Sequence, residues 1–107
     1  MTTTVAIVLR EFLEAVDQRQ YGFDLMRRCG LPSGSLYPIL ARLERAGWIV
    51  GNVEEIDPNK EARPPRKYYQ LTGHGVVEAN RELAALSAKL LPPVGLLRQP
   101  TTQGGIA

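Results

Sequence analysis

Residues 33–48, SGSLYPILARLERAGW, constrain this chain more than any other stretch, because at helical spacing they form a helix with two unlike faces. Leu36, Ile39, Leu40 and Leu43 recur at i, i+3, i+4 and i+7, the stripe a short helix buries in a small core. The opposite face carries Gly34, Pro38, Ala41 and Arg45, with Ser35 and Arg42 on one flank and Tyr37 on the other. Small residues permit close approach, and the hydroxyl and guanidinium groups around them can bond phosphate oxygens and base edges. Such a face suits a helix entering a DNA groove. Taken alone, the same pattern also fits an amphipathic helix with a solvated outer side.

The flanking residues narrow the choice. Gly47 stops the helix, and WIVGNVEEI then reads as a strand that RKYYQLT can pair with. Between them lies DPNKEARPP, a long, proline-containing tip. Upstream, YGFDLMRRCG reads as a short helix with Phe23 or Leu25 and Met26 inward, closed by Gly30; Leu31-Pro32 turns the chain into Ser33, an expected N-cap. Two short helices so closely joined make a helix-turn-helix pattern, and the following ribbon makes it winged.

One domain of 107 residues is expected, small enough that a second subunit would add useful burial. A first helix runs through AIVLREFLEAVDQ, capped by Thr3 or Thr4, with Val5, Val8 or Leu9, Phe12 and Val16 at helical spacing. Its apolar run over 5–9 is wider than one small core needs, so part of it is expected to meet another chain. Thr72 is a natural cap for a last helix, GHGVVEANRELAALSAKLL, whose Val76, Ala79, Leu83, Leu86 and Leu90 follow heptad spacing and suggest a homodimer seam. The expected dimer set is therefore Val5, Leu9, Phe12, Val76, Leu83, Leu86 and Leu90. Pro92-Pro93 ends the helix, and the remaining tail is expected to be mobile, with Leu96 and Leu97 as its anchors. The expected architecture is mainly α with a small antiparallel hairpin, in the order helix, helix, helix, strand, strand, helix. It divides into a winged helix-turn-helix over 1–73, a dimerisation helix over 74–91 and a tail over 92–107.

Composition excludes several classes of function. No apolar run approaches the roughly 20 residues that span a bilayer, and the start lacks the basic residues of a signal peptide, so a cytoplasmic protein with no membrane partner is expected. With one cysteine and one histidine there is neither an internal disulfide nor a Cys/His zinc set, and no metal or cofactor is expected. His74 lies at a helix entry with no nucleophile and carboxylate placed near it by any motif, which argues against an enzyme. Cys29 follows Arg27 and Arg28, where positive charge can lower a thiol pKa; the helix C-terminus opposes this, and a small apolar filler is the plainer role. The net charge of +2 says little, but its distribution is uneven: ARPPRKYY over 62–69 holds Arg63, Arg66 and Lys67 without an acid, whereas VEEIDPNKE holds four acids and one lysine.

YGFDLMRR, SGSLYPILARLERAGWI and RPPRKYYQLTGHG together resemble the signature blocks of PadR-family transcriptional regulators, over roughly residues 5–91. The resemblance implies a winged helix-turn-helix with a C-terminal dimerisation helix, acting mainly as a repressor released by a small-molecule inducer. It implies that the SGSLYP helix is the recognition helix, with Ser33, Ser35, Tyr37 and Arg42 near DNA, and that Tyr21 and Lys67 hold motif positions, with Arg66 beside Lys67 leading the wing's return strand. With the outward face and the basic cluster added, the DNA-facing set is Tyr21, Ser33, Gly34, Ser35, Tyr37, Pro38, Arg42, Arg45, Arg63, Arg66 and Lys67. Of Tyr68 and Tyr69, which alternate faces, one is expected in the core. Two departures stand out. Gln20 directly precedes Tyr21 where the family has a glycine- or proline-bearing turn, and the only tryptophan, Trp48, follows the recognition helix, so an aromatic ligand sandwiched between tryptophans of the dimerisation helices is not supported. The expected function is sequence-specific binding of an inverted-repeat operator in double-stranded DNA by a homodimer. A winged protein-interaction module without DNA binding is the alternative.

Overall fold

The computed structural model describes residues 2–90, and of Leu90 the backbone only. The expected Leu90 contact, the Leu96 and Leu97 anchors and the 92–107 tail lie outside the described residues. The elements run α1 (Thr3–Glu14), β1 (Gln20–Tyr21), α2 (Gly22–Cys29), α3 (Ser33–Arg45), β2 (Ile49–Val53), α4 (Pro58–Glu61), β3 (Lys67–Leu71) and α5 (Gly73–Leu90). This is a winged helix, mainly α with a small antiparallel sheet, and it carries two short elements beyond the expected order: β1 and α4.

Helix ends follow local chemistry. Thr2, rather than Thr3 or Thr4, caps α1, its hydroxyl accepting from the Val5 N–H at 3.2 Å. Ser33 is likewise not a cap but the first residue of α3; Pro32 occupies the cap position, where a fixed φ suits the entry and no side chain bonds the first turn. At the other end of α3, Gly47 adopts φ +77°, and the Trp48 N–H returns to the Leu43 carbonyl at 3.0 Å, which closes the helix and aims the chain into β2. Thr72 does cap α5, accepting from the Gly75 N–H at 2.9 Å. The same hydroxyl donates to the Gly47 carbonyl at 2.7 Å, so one side chain joins the start of α5 to the end of α3.

The core forms where α1, α2, α3, the sheet and the first turns of α5 meet. Phe12, Leu9, Leu25, Leu36, Leu40, Ile49 and Val8 are its largest fully buried side chains. Burying each such side chain contributes about 1.5–3 kcal/mol, so this small set holds the helix-turn-helix together. The sheet order is β1-β3-β2, all antiparallel, with Tyr21 opposite Tyr68 and Gly51 opposite Tyr69. Tyr69 faces the core and Tyr68 the other side, half-buried. Gln20 explains the departure ahead of Tyr21: at 2% exposure it is a core residue, whose amide donates to the Glu11 carbonyl at 3.4 Å and accepts from Arg28. A satisfied buried amide thus does the work of a turn, and pairing with β3 fixes the entry to α2.

Candidate nucleic-acid interface

The outer face of α3 is open along its length. Ser33, Gly34, Ser35, Pro38, Arg42 and Arg45 are all exposed, and Tyr37 keeps 43% of its surface. Pro38 removes the N–H that would bond the Gly34 carbonyl, on a flank that is open to solvent. Neither Arg42 nor Arg45 enters an ion pair among the described residues. Both stand in the last turn, where the carbonyl end of the helix favours positive charge.

Tyr37 is fixed from below. Its ring and hydroxyl lie over the Cα of Gly22, and a side chain there would collide with the Tyr37 hydroxyl. The glycine of the YG pair therefore lets α3 settle against the start of α2. Beside this contact runs an open groove of about 750 Å³, lined by Tyr21, Gly22, Phe23, Asp24, Tyr37, Arg66, Lys67 and Tyr69. Phe23 is 66% exposed, with the Arg27 guanidinium 5.5 Å from its ring centre. Of the two inward candidates on α2, Leu25 is the buried one. The i, i+3, i+4 spacing of Gly22, Leu25 and Met26 leaves Phe23 on the outer side, a signal that could have shown it to be a surface aromatic of the groove.

The wing distributes its cations unequally. Arg66 is exposed with no ion pair among the described residues, as a phosphate-binding group requires. Lys67 is only half available: its ammonium lies 3.5 Å from Glu44 of α3 and 5.2 Å from the Tyr69 ring centre. Gly51 makes room for that bridge, since a side chain there would come within 2.6 Å of Lys67 Cε and 2.8 Å of Glu44 Oε2. Arg63 is turned inward. Its two terminal nitrogens donate to Glu54 at 2.7 and 3.3 Å, so it does not stand out as a phosphate-facing cation of the tip. Tyr21 donates to the same carboxylate at 3.1 Å. Glu54, which sequence reasoning passed over as one of a run of acids, is the hub of the wing. With Arg63 and the Arg66 N–H bonded to it, its carboxyl is held at about 2, well below the ordinary 4.5.

The expected dimer residues divide. Val5, Leu9 and Phe12 are 8%, 0% and 1% exposed within the chain's own core, so they offer a second subunit almost nothing and the expectation for them is corrected. The apolar width of α1 is absorbed internally because α5, α2 and β3 pack against it. Val76 and Leu83 are partly buried against the same core, and Ala79 is fully buried. What remains outside is a shallow groove between α1 and α5 lined by Thr3, Ala6, Ile7, Arg10, Leu83, Leu86 and Ser87.

Other sequence candidates recede. Burial and the Glu11 carboxylate push the Cys29 thiol above its ordinary value, with Arg28 only opposing them, which disfavours the thiolate that a redox switch would use. Trp48 is half-buried against the core, with its carbonyl taken by Thr72. No helix of the described residues is long and apolar enough to cross a membrane.

The PadR-like transcriptional regulator family matches residues 12–81, which take in the helix-turn-helix, the wing and the first half of α5. The chain belongs to this family. Among solved structures, the fold is shared with a PadR-like transcription factor from Bacteroides fragilis, at TM-score 0.62 and 24% identity over 79% of this chain and 81% of that one. It is shared equally with smu.1704 from Streptococcus mutans UA159, at TM-score 0.66 and 24% identity over 89% and 90%. The S. aureus MepR G34K mutant superposes at TM-score 0.70 with 16% identity, covering 98% of this chain and 70% of that one. None of the curated proteins matches the chain in sequence. Membership makes this chain a transcriptional regulator of the winged-helix type and gives the exposed face of α3 its context.

Proposed function

We propose that this protein is a sequence-specific, double-stranded-DNA-binding repressor that recognises an inverted-repeat operator as a homodimer. The observation that carries the reading is the outer face of α3, where Arg42 and Arg45 stand exposed among small residues, without an ion pair among the described residues, while the opposite stripe is buried in the core. Arg42 and Arg45 are suited to guanine edges, and Ser33, Ser35 and Tyr37 to phosphate or base contacts. Arg66 supplies wing phosphate contact, with Lys67 contributing in part. AbfR, whose fold is similar at TM-score 0.64 and 24% identity over 87% of this chain and 59% of that one, has been solved bound to DNA, which supports the reading by analogy of fold alone.

Dimerisation would use Ile7, Leu83 and Leu86 along the α1–α5 groove, and would set two α3 helices in successive major grooves about 34 Å apart. A small-molecule inducer would act by changing the angle of α5 to the winged domain, and so the separation of the two α3 helices.

Selection of bound duplexes from a random DNA pool at near-physiological salt tests the reading. An enriched inverted repeat with half-sites about one helical turn apart is the expected result. On that operator, Arg42→Ala should lose specific affinity while sparing non-specific duplex, by about 1–3 kcal/mol for a bidentate guanine contact. Arg66→Ala should weaken all duplexes and flatten the salt dependence. No enrichment by a folded, dimeric protein would favour the protein-interaction module instead.

A further inference from the structure

Glu54 stands at the end of β2, where the wing leaves the sheet. Its carboxylate accepts from three groups, two near each other at the wing tip and one far away in the chain: the Arg63 guanidinium at 2.7 and 3.3 Å, the Arg66 amide at 2.9 Å and the Tyr21 hydroxyl at 3.1 Å. The Glu54 N–H donates to the Arg66 carbonyl at 2.9 Å, so the return strand is held by both its main-chain groups. Only 10% of the Glu54 side chain is exposed. Tyr21 is the residue at which β1 becomes α2, directly ahead of the glycine on which Tyr37 of α3 rests. One carboxylate therefore spans the wing tip, the return strand and the base of the helix-turn-helix.

We propose that Glu54 is a positioning residue for DNA binding: by gathering Tyr21, Arg63 and the Arg66 main chain, it sets where the Arg66 and Lys67 cations stand relative to α3. The inference rests on the DNA-binding reading above and adds how the wing is aimed. It also gives Arg63 a role other than phosphate contact. Geometry requires the anchor because β2 and β3 are joined through a long connection that, among the described residues, pairs with no other element, and a ribbon end without cross-links would sample many orientations. The second tether, Lys67 to Glu44, fixes only the strand side of the wing.

Electrostatics alone predicts the opposite consequence of removing this acid, which makes the sign of the effect decisive. Glu54→Gln takes away a negative charge near DNA and releases Arg63. If Glu54 merely repelled phosphate, the variant would bind DNA more tightly, with a salt dependence steeper by about 0.9 for one added contact. If Glu54 aims the wing, the full-length variant should bind the selected operator about tenfold more weakly while remaining folded, and its salt slope should fall by about 1–2 as the Arg66 and Lys67 contacts are lost. Arg63→Lys keeps the charge but removes the two-pronged fork. It should weaken binding by about threefold in the wild-type background and have no further effect in Glu54→Gln. That variant also decides the matter if Glu54→Gln fails to fold, since undiminished binding by Arg63→Lys would overturn the proposal. Unchanged or tighter binding by Glu54→Gln would overturn it too. Amide hydrogen exchange of Arg66 and Lys67 without DNA separates this inference from the one beneath it. Should no form of the protein bind DNA, the regulator reading falls, and exchange at these amides equal in wild type and Glu54→Gln would dispose of the anchor as well.

Discussion

Ala62 closes the wing-tip turn α4 at φ +58°, ψ +32°, a left-handed conformation that crowds its methyl group against the following carbonyl. Removing the methyl relieves about 1 kcal/mol or somewhat more, part of which is returned through the looser unfolded chain. Ala62→Gly should therefore raise the urea midpoint slightly with its slope unchanged, and it should leave the Glu54 contacts intact. Glu54 itself gives the fold a pH signature. Its carboxyl is lowered from 4.5 to about 2, so the folded state favours the charged form and the stabilisation is complete above about pH 5. It is lost as pH falls from the unfolded value through about 2. Acid titration followed by circular dichroism should show part of the wild-type loss of stability in that window, and Glu54→Gln should lack that part. At this scale the sequence was partly transparent. The cations of 62–69 were visible as a cluster, yet nothing in their spacing distinguishes Arg63, folded onto an acid nine positions earlier, from Arg66, which stays outside.

At the scale of elements, the long periodic segments were legible and the short ones were not. The stripe Leu36, Ile39, Leu40 and Leu43 is buried as its spacing demands, because a 3.6-residue repeat leaves an apolar face only one way to turn. β1 escaped notice because two residues carry no period. Gln20 is polar, and what makes it part of a strand is the partner chain segment Tyr68-Tyr69 some fifty positions away. α4 escaped for a related reason: DPNKE reads as loop chemistry, and Asp57 capping the Asn59 N–H at 2.9 Å converts it to a single helical turn. The caps of α1 and α3 shifted by a residue or so. At α1, Thr2, Thr3 and Thr4 in succession offer equivalent hydroxyls, whereas at α3 the fixed φ of Pro32 supplies the entry without a side-chain cap.

For the molecule as a whole, the apolar surplus of α1 was the feature most open to misreading. Its width suggested a partner, whereas α2, α5 and the sheet pack against it, and among the described large apolar residues of α1 it is Ile7, at 39% exposure, that faces out beside Leu83 and Leu86. The proposed dimer should thus respond to different residues than the core does. Ile7→Arg should shift sedimentation to the monomer with little change in secondary structure, whereas Phe12→Ala should remove about 3–5 kcal/mol of folding stability. Equal sedimentation of Ile7→Arg and wild type would place any self-association elsewhere. The joint at Thr72 bears on what such a dimer can do. That hydroxyl holds the Gly47 and Trp48 carbonyls, just past α3, to the Gly75 amide in the first turn of α5. α5 then extends 18 residues from that point, a rigid arm of about 27 Å. A pivot of about 5° at its root sweeps the far end through roughly 2 Å, with the arm length set by the helical rise. Because α5 also lies along α1, it cannot swing alone: under the proposed reading, a turn of α5 would carry α1 and, through the Thr72 joint, the end of α3 with it, as the stock of a key turns its bit.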